Sequence, residues 1–379
     1  MYTLGLVLAG GAARGAYEAG VMRFLYQTLP KRLGRVPWPD VVSGTSVGAL
    51  NGVFSVTRDL DVFQRLTEIW QQMQISDVYE LHSRSMLRTV RGMFTGDDHA
   101  ALLDVAPLYD LARREFPEET MRKSLDSQEC SAFIISATQL DNGVNVLFLD
   151  SGVQGLDLQP LPNARERRTH LTADHLLASA AIPFLFPPVL IDSVYYVDGG
   201  LRQNTPLRPV LRAGADRIIT ISPHIPIAPE LPDGTAPTPS VPFLAGKTLN
   251  ALMLDPVERD LYMAEQINEI LKWGREHYGA GFSAGVLRDL GLREVRNFHI
   301  QPSEDLGRIA NQMLHSSPPR VSAPIRWMLS LVADQANQED GESDLLSYLY
   351  FDRAFTAEIE QLGHEDAARL EDELLAFLT

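Results

Sequence analysis

The stretch Leu6-Val7-Leu8-Ala9-Gly10-Gly11-Ala12-Ala13-Arg14-Gly15 decides the reading of this chain. An apolar run stops at two glycines. The residues that follow, 16–29 (AYEAGVMRFLYQTL), repeat their apolar positions at helical spacing. This predicts a buried strand over 3–9, a tight turn and a helix. The pattern returns at Val41-Val42-Ser43-Gly44-Thr45-Ser46-Val47-Gly48, with a short strand over 40–43 and a helix over 47–57. Strands and helices alternating in this way predict a parallel sheet covered by helices.

A mostly helical stretch follows from about 60 to 125. Strands are expected at 132–137 and 144–149, joined by an Asp141-Asn142-Gly143 turn. Residues 174–181 read as a helix stopped by Pro183. Strands at 189–191 and 194–197 lead into Asp198-Gly199-Gly200, and further strands are expected at 217–222 and 297–300. Seven prolines between Pro223 and Pro242 predict an irregular loop. Residues 246–278 and 324–376 carry helical patterns. No internal repeat or linker divides the chain. It reads as one domain over 1–379, with a core at about 1–222, a proline-rich loop at 223–242 and a helical C-terminal extension at about 324–379.

The chain has 379 residues, 45% hydrophobic and 22% charged, with a net charge of −16. Nucleic-acid binding needs a basic footprint, which this balance lacks. More than half of the charge lies between Asp334 and Thr379, where 13 acidic residues meet only Arg353 and Arg369. These acids are expected on solvated helix faces, with Leu345, Leu349, Ile359, Leu362, Leu374 and Phe377 packing onto the body. Cys130 is the only cysteine, so no intrachain disulfide forms, in keeping with a reducing compartment. The start, Met1-Tyr2-Thr3, has no basic n-region of a signal peptide, and no apolar run is long enough to span a membrane. The expectation is a cytoplasmic protein that meets a membrane only from its surface.

The two glycine turns offer complementary chemistry. Gly44-Thr45-Ser46-Val47-Gly48 is a G-x-S-x-G motif between a strand and a helix. Its glycines permit a sharp bend that exposes the Ser46 hydroxyl as a nucleophile. Gly10 to Gly15 offers backbone N–H groups at a helix N-terminus, a cradle for an oxyanion. Arg14 either anchors that loop or touches substrate. A dinucleotide fingerprint fails because Ala12 stands where the middle glycine belongs. A P-loop fails because Ala16-Tyr17 follows Gly15. A second G-x-S-x-G, Gly281-Phe282-Ser283-Ala284-Gly285, lacks a preceding buried strand, so Ser283 is set aside. A base is also needed. Asp198 closes a buried strand on the Gly199-Gly200 turn and is the candidate.

These residues resemble the patatin-like phospholipase family. The resemblance rests on the Gly10–Gly15 loop with Arg14, the Gly44–Gly48 elbow and Asp198-Gly199-Gly200, in that order. It extends to Ala178-Ser179-Ala180-Ala181-Ile182-Pro183, Asn204-Thr205-Pro206-Leu207 and Ser347-Tyr348-Leu349-Tyr350-Phe351-Asp352. It implies a three-layer α/β/α hydrolase with a largely parallel central sheet and additional C-terminal helices. It also implies a Ser46–Asp198 dyad without a catalytic histidine, an oxyanion held by amides near Gly10, Gly11 and Ala12, and hydrolysis of phospholipid or other acyl-ester lipids without metal or cofactor. The family's loop usually has three consecutive glycines, and Ala12 replaces the third. A left-handed backbone there would be strained.

Two other readings stand beside this one. A Ser–His–Asp carboxylesterase or thioesterase would recruit a later histidine such as His224 or His299. A non-catalytic lipid-binding protein would keep the fold alone. His170 and His175 show no convincing metal-ligand spacing. Two segments are candidates for lipid contact: 82–94, which sets Arg84, Arg88 and Arg91 opposite an apolar face, and the 223–242 loop.

Overall fold

The computed structural model describes residues 2–81, 101–158, 164–224, 257–279, 281–333 and 344–379. The 82–94 segment, and all of 223–242 beyond His224, lie outside the described residues.

The described strands form one sheet: β1 (Leu4–Leu8), β2 (Val41–Thr45), β3 (Ala132–Gln139), β4 (Asn145–Asp150), β5 (Ala164–Arg168), β6 (Val189–Ile191), β7 (Val194–Asp198), β8 (Arg217–Ile221) and β9 (Arg296–Ile300). Their order is β5-β4-β3-β2-β1-β8-β9, with the β6–β7 hairpin attached to β3 through β7. Strands β3, β2, β1, β8 and β9 run parallel, while β4 and β7 pair antiparallel with β3. All the parallel strands therefore end on the same side, where loops gather a site.

Helices cover both faces, giving three α/β/α layers. Side chains alternate along a strand. Leu4, Leu6 and Leu8 enter one core with Tyr17, Val53 and Phe133. Val7 enters the other with Val41, Ile134, Leu207 and Val210. Gly143, at φ 67, makes the β3–β4 turn possible where an L side chain would be strained. Strand β5 (ARERR) was absent from the sequence reading. It lies at the sheet edge and carries no apolar alternation, so periodicity gave no signal.

The C-terminal helices pack on the body. The Arg353–Arg369 helix crosses the Gly15–Arg23 helix with the backbones in contact. A Cβ on Gly20 would overlap the Glu360 carbonyl, and one on Gly363 would overlap that of Tyr17. Around the crossing, Arg23 Nε donates to Glu360 at 2.6 Å, and the Tyr17 hydroxyl donates to Asp366 at 3.2 Å. Glu360 and Asp366 are buried. This corrects the expectation of uniformly solvated acids: two of them are inward ion-pair and hydrogen-bond partners. No helix among the described residues is long and apolar enough to cross a membrane.

Candidate active site

Ser46 stands between the end of β2 and the Val47–Val56 helix, at φ 56 and ψ −126. A non-glycine residue with positive φ at a strand-to-helix bend is strained, and such strain gathers at functional sites. The flanking glycines are needed for contact. A Cβ on Gly44 would overlap the backbone of Gly48, and one on Gly48 would overlap the carbonyls of Leu8 and Ala9. The bend is therefore pressed against the end of β1, where the first glycine turn begins. Its backbone is clamped from a third element. Ser46 N–H donates to Ser179 Oγ at 2.8 Å, and Ser179 Oγ–H donates to the Ser136 carbonyl at 2.6 Å.

Asp198 ends β7, level with Ala137 on β3, one step past the Thr45–Ser136 pairing. The structure thus brings Asp198 and Ser46 together across 152 positions of sequence, at the C-terminal edge of the sheet. Asp198 Oδ1 accepts the N–H of Gly200 at 2.7 Å, closing the turn after the acid. A Cβ on Gly199 would overlap the Ser136 carbonyl. Asp198 is fully buried. Burial pushes its carboxyl from 3.8 up to about 7, while the Ser46 hydroxyl and the Gly200 amide pull it back down. Among the described residues, Oδ2 has no partner at full hydrogen-bond distance. The Ser46 hydroxyl is near enough to lower the pKa yet leaves that oxygen open.

The Gly10–Gly15 turn meets the serine directly. A Cβ on Gly10 would come within 3.2 Å of Ser46 Cβ, and one on Gly15 would overlap Val47. The structure corrects one assignment: Gly10 N–H already donates to the Asn204 carbonyl at 3.0 Å, so it is not available to an oxyanion. Gly11 caps and Ala12 opens the first helical turn, where N–H groups have no intrahelical acceptor. Ala12 adopts φ 49, the left-handed conformation in which the replaced glycine would be at ease.

Arg14 is buried and turned into the protein. Its Nε donates to Ser347 Oγ at 2.8 Å, its Nη1 lies 3.3 Å from His224 Nδ1, and its guanidinium sits 4.3 Å from the Tyr348 ring centre. Of the two roles left open from sequence, anchoring is the one these contacts describe. Asn204 completes the bracing, with Nδ2 contacting the Gly10 carbonyl and His224 Nε2, both at 3.2 Å. Ser179 and Asn204 were visible in the sequence only as members of quoted motifs. Nothing local told what they hold.

An apolar cavity of about 90 Å³ opens beside Ser46 and Ala12, lined by Leu50, Phe54, Trp70, Met73, Leu111 and Phe186 among others. Other candidates are elsewhere. Ser283 lies within the Gly281–Leu290 helix, with no elbow around it. His299 lies on β9 opposite Thr220, and burial holds it down at about 4. Both ring nitrogens of His224 face Arg14 and Asn204. His175 closes a capping box with Thr172. Among the described residues, no group of three or more His, Cys, Asp or Glu is arranged to hold a metal ion.

A family model described as patatin-like phospholipase matches residues 6–211. Among solved structures, the chain is similar to VipD from Legionella pneumophila, with 13% identity and a TM-score of 0.37 over 98% of this chain and 67% of that one. It is also similar to human GIVD cytosolic phospholipase A2 in complex with methyl gamma-linolenyl fluorophosphonate, with 12% identity and a TM-score of 0.38. That likeness covers 100% of this chain and 59% of the human one, so the chain spans less than two thirds of that relative. No curated protein matches the chain.

Proposed function

The chain belongs to the patatin-like phospholipase family, and we propose that it hydrolyses carboxylic esters of phospholipids or related lipids, as a phospholipase A or lysophospholipase, through a Ser46–Asp198 dyad. The observation that carries this reading is a buried carboxylate with an open oxygen beside a serine in a strained turn, at the mouth of an apolar cavity.

The chemistry follows from the geometry. With the acyl chain in the cavity, Ser46 Oγ attacks the ester carbonyl carbon and its proton passes to Asp198 Oδ2. A pKa near 7 suits this exchange far better than an ordinary aspartate would. The carbonyl oxygen becomes an oxyanion, received by the N–H groups of Gly11 and Ala12 beside the N-terminal ends of two helices. Collapse breaks the ester C–O bond, and Asp198 returns the proton to the departing alkoxide. Water then attacks the acyl-serine, with Asp198 taking and returning a proton as before, and a fatty acid leaves. No step calls on a histidine or a metal. The same reading treats 1–379 as one unit, its C-terminal helices bracing the oxyanion loop through Ser347 and Tyr348.

The test pairs a fluorophosphonate probe with lipid mass spectrometry. Wild-type protein should carry the label on Ser46 and convert a mixed lipid extract to free fatty acids. Ser46→Ala should do neither. Labelling of another serine, or full turnover by Ser46→Ala, would end the proposal.

A further inference from the structure

Glu18 carries a carboxyl that neither the dyad nor the oxyanion turn uses. It stands in the first turn of the Gly15–Arg23 helix and is fully buried. Burial pushes its pKa well above the ordinary glutamate value, and the contacts to Asn51 and Ala9 that pull it back are weaker. At neutral pH it is therefore an uncharged acid. Its Oε2 accepts a hydrogen bond from Asn51 Nδ2 at 3.0 Å. Among the described residues, Oε1 has no partner at full hydrogen-bond distance.

Asn51 ties three elements together. The same Nδ2 donates to the Gly15 carbonyl at 2.9 Å, and Trp70 Nε1 donates to Asn51 Oδ1 at 2.9 Å. These partners fix which way the amide faces, because an indole N–H only donates and a carbonyl only accepts. Asn51 lies on the Val47–Val56 helix that follows the nucleophile, Gly15 closes the oxyanion turn, and Trp70 comes from the Leu60–Gln72 helix. Both Nδ2 hydrogens are engaged, one by Gly15 and one by Glu18.

Asn51 and Trp70 also line the cavity beside Ser46, among apolar side chains such as Leu50, Phe54 and Leu66. Asn51 is five residues on from Ser46, about 7.5 Å along the helix axis, so the amide meets the cavity some way from the reacting ester. An alkyl chain there can lie against an amide whose groups are all satisfied. An amide N–H without an acceptor would hold water in the chain's place. Glu18 supplies that acceptor without bringing a charge to the cavity wall.

We propose that Glu18 is a positioning residue of the acyl site: by fixing Asn51 it keeps the cavity wall dry and holds Trp70 in it. This rests on the lipid hydrolase reading, so the test reads acyl binding apart from turnover. Full-length wild type, Glu18→Gln, Glu18→Leu and Trp70→Phe are assayed on soluble esters of short and of medium acyl chain. Each is also titrated with a brominated fatty acid, which quenches tryptophan fluorescence on contact. Glu18→Gln keeps an uncharged acceptor for Asn51 and should match wild type in both assays. Glu18→Leu keeps the bulk and loses the acceptor. It should raise KM for the medium-chain ester and weaken fatty-acid binding roughly tenfold or more, with a smaller effect on the short-chain ester. Trp70→Phe removes the donor at the other end of the relay while Glu18 stays in place. It should show the same chain-length-dependent loss, and its loss of quenching assigns the signal to the cavity.

The inference is overturned if Glu18→Leu keeps the chain-length profile and fatty-acid affinity of wild type, or if Glu18→Gln loses as much as Glu18→Leu. Equal losses on short and medium esters also overturn it, because they mark an effect on the whole fold. Should Glu18→Leu fail to fold, Trp70→Phe decides, and a wild-type chain-length profile in that variant overturns the inference. Ester turnover that does not depend on Glu18 would leave the hydrolase reading standing alone. Fatty-acid binding that follows Glu18 as expected, without ester turnover by wild type, would leave this role standing and remove the hydrolase reading. Neither binding nor turnover by wild type would end both.

Discussion

The hydroxyl of Ser179 accepts the backbone N–H of Ser46 at 2.8 Å and donates onward to Ser136. The nucleophile's strained turn is therefore held by a side chain 133 residues away. Ser179→Ala leaves a buried N–H without an acceptor, a loss of about 1–3 kcal/mol. The expected outcome is a kcat lowered roughly tenfold with KM little changed, since the turn relaxes while the acyl cavity stays intact. Steady-state kinetics on a soluble ester checks it. A KM effect alone would show that Ser179 shapes the cavity instead.

Asp198 costs the fold stability where it serves the reaction. Its folded pKa of about 7 lies above the unfolded value of 3.8. The stabilising contribution is complete below about pH 4 and is lost as pH rises to 7, because only the unfolded chain then ionises freely. Asp198→Asn should therefore abolish turnover yet raise stability at pH 8, by up to about 4 kcal/mol and with a higher Tm, the gain vanishing toward pH 4. Wild-type activity should fall as pH drops below about 7 and the base becomes protonated. Thermal melts across pH, alongside a pH–rate profile, measure both. An equal Tm gain at pH 4 and pH 8 would mean the burial of the charge is not the cause.

Ala12 occupies a conformation made for glycine. Ala12→Gly removes a left-handed L-residue strain of about 1–2 kcal/mol and adds backbone entropy to the unfolded chain worth about 0.5–1 kcal/mol. The net expectation is a Tm raised by about 2 °C with activity kept or increased. Differential scanning calorimetry and the ester assay decide. A marked loss of activity would show that the methyl group, rather than the amide alone, serves the substrate.

Arg14 and His224 touch, yet their replacement should differ in effect. Arg14→Lys loses the planar fork that reaches Ser347 and stacks on Tyr348, so the oxyanion loop loosens and kcat should fall about tenfold or more. His224→Ala removes only a brace, and His299→Ala changes a strand far along the sheet. Both should keep most of their activity. Near-complete loss in His224→Ala, with a normal melt, would revive a triad.

Much of this architecture was legible from local pattern. Buried β1 and β2, the β3–β4 turn at Gly143 and the helix after each glycine turn all announce themselves within a few residues. Strand β5 did not, since an edge strand made almost wholly of charged residues looks like a loop. The two G-x-S-x-G copies were separable because only Ser46 follows an apolar run; Ser283 proves to be helical. The bracing residues were illegible in role. Arg14 finds its hydroxyl partner 333 positions later, and no spacing rule reaches that far.

The sequence by itself determined where the backbone bends, because glycine permissiveness, strand alternation and helix period act through sterics between near neighbours. Tertiary structure alone decided what each bend means chemically. It tied the Gly10 amide to Asn204, placed those of Gly11 and Ala12 at the start of a helical turn, sealed Asp198 away from water until its pKa approached neutrality, and turned Arg14 inward. Desolvation and hydrogen-bond competition depend on every group that arrives in the neighbourhood, and those groups come from strands and helices far apart in the chain.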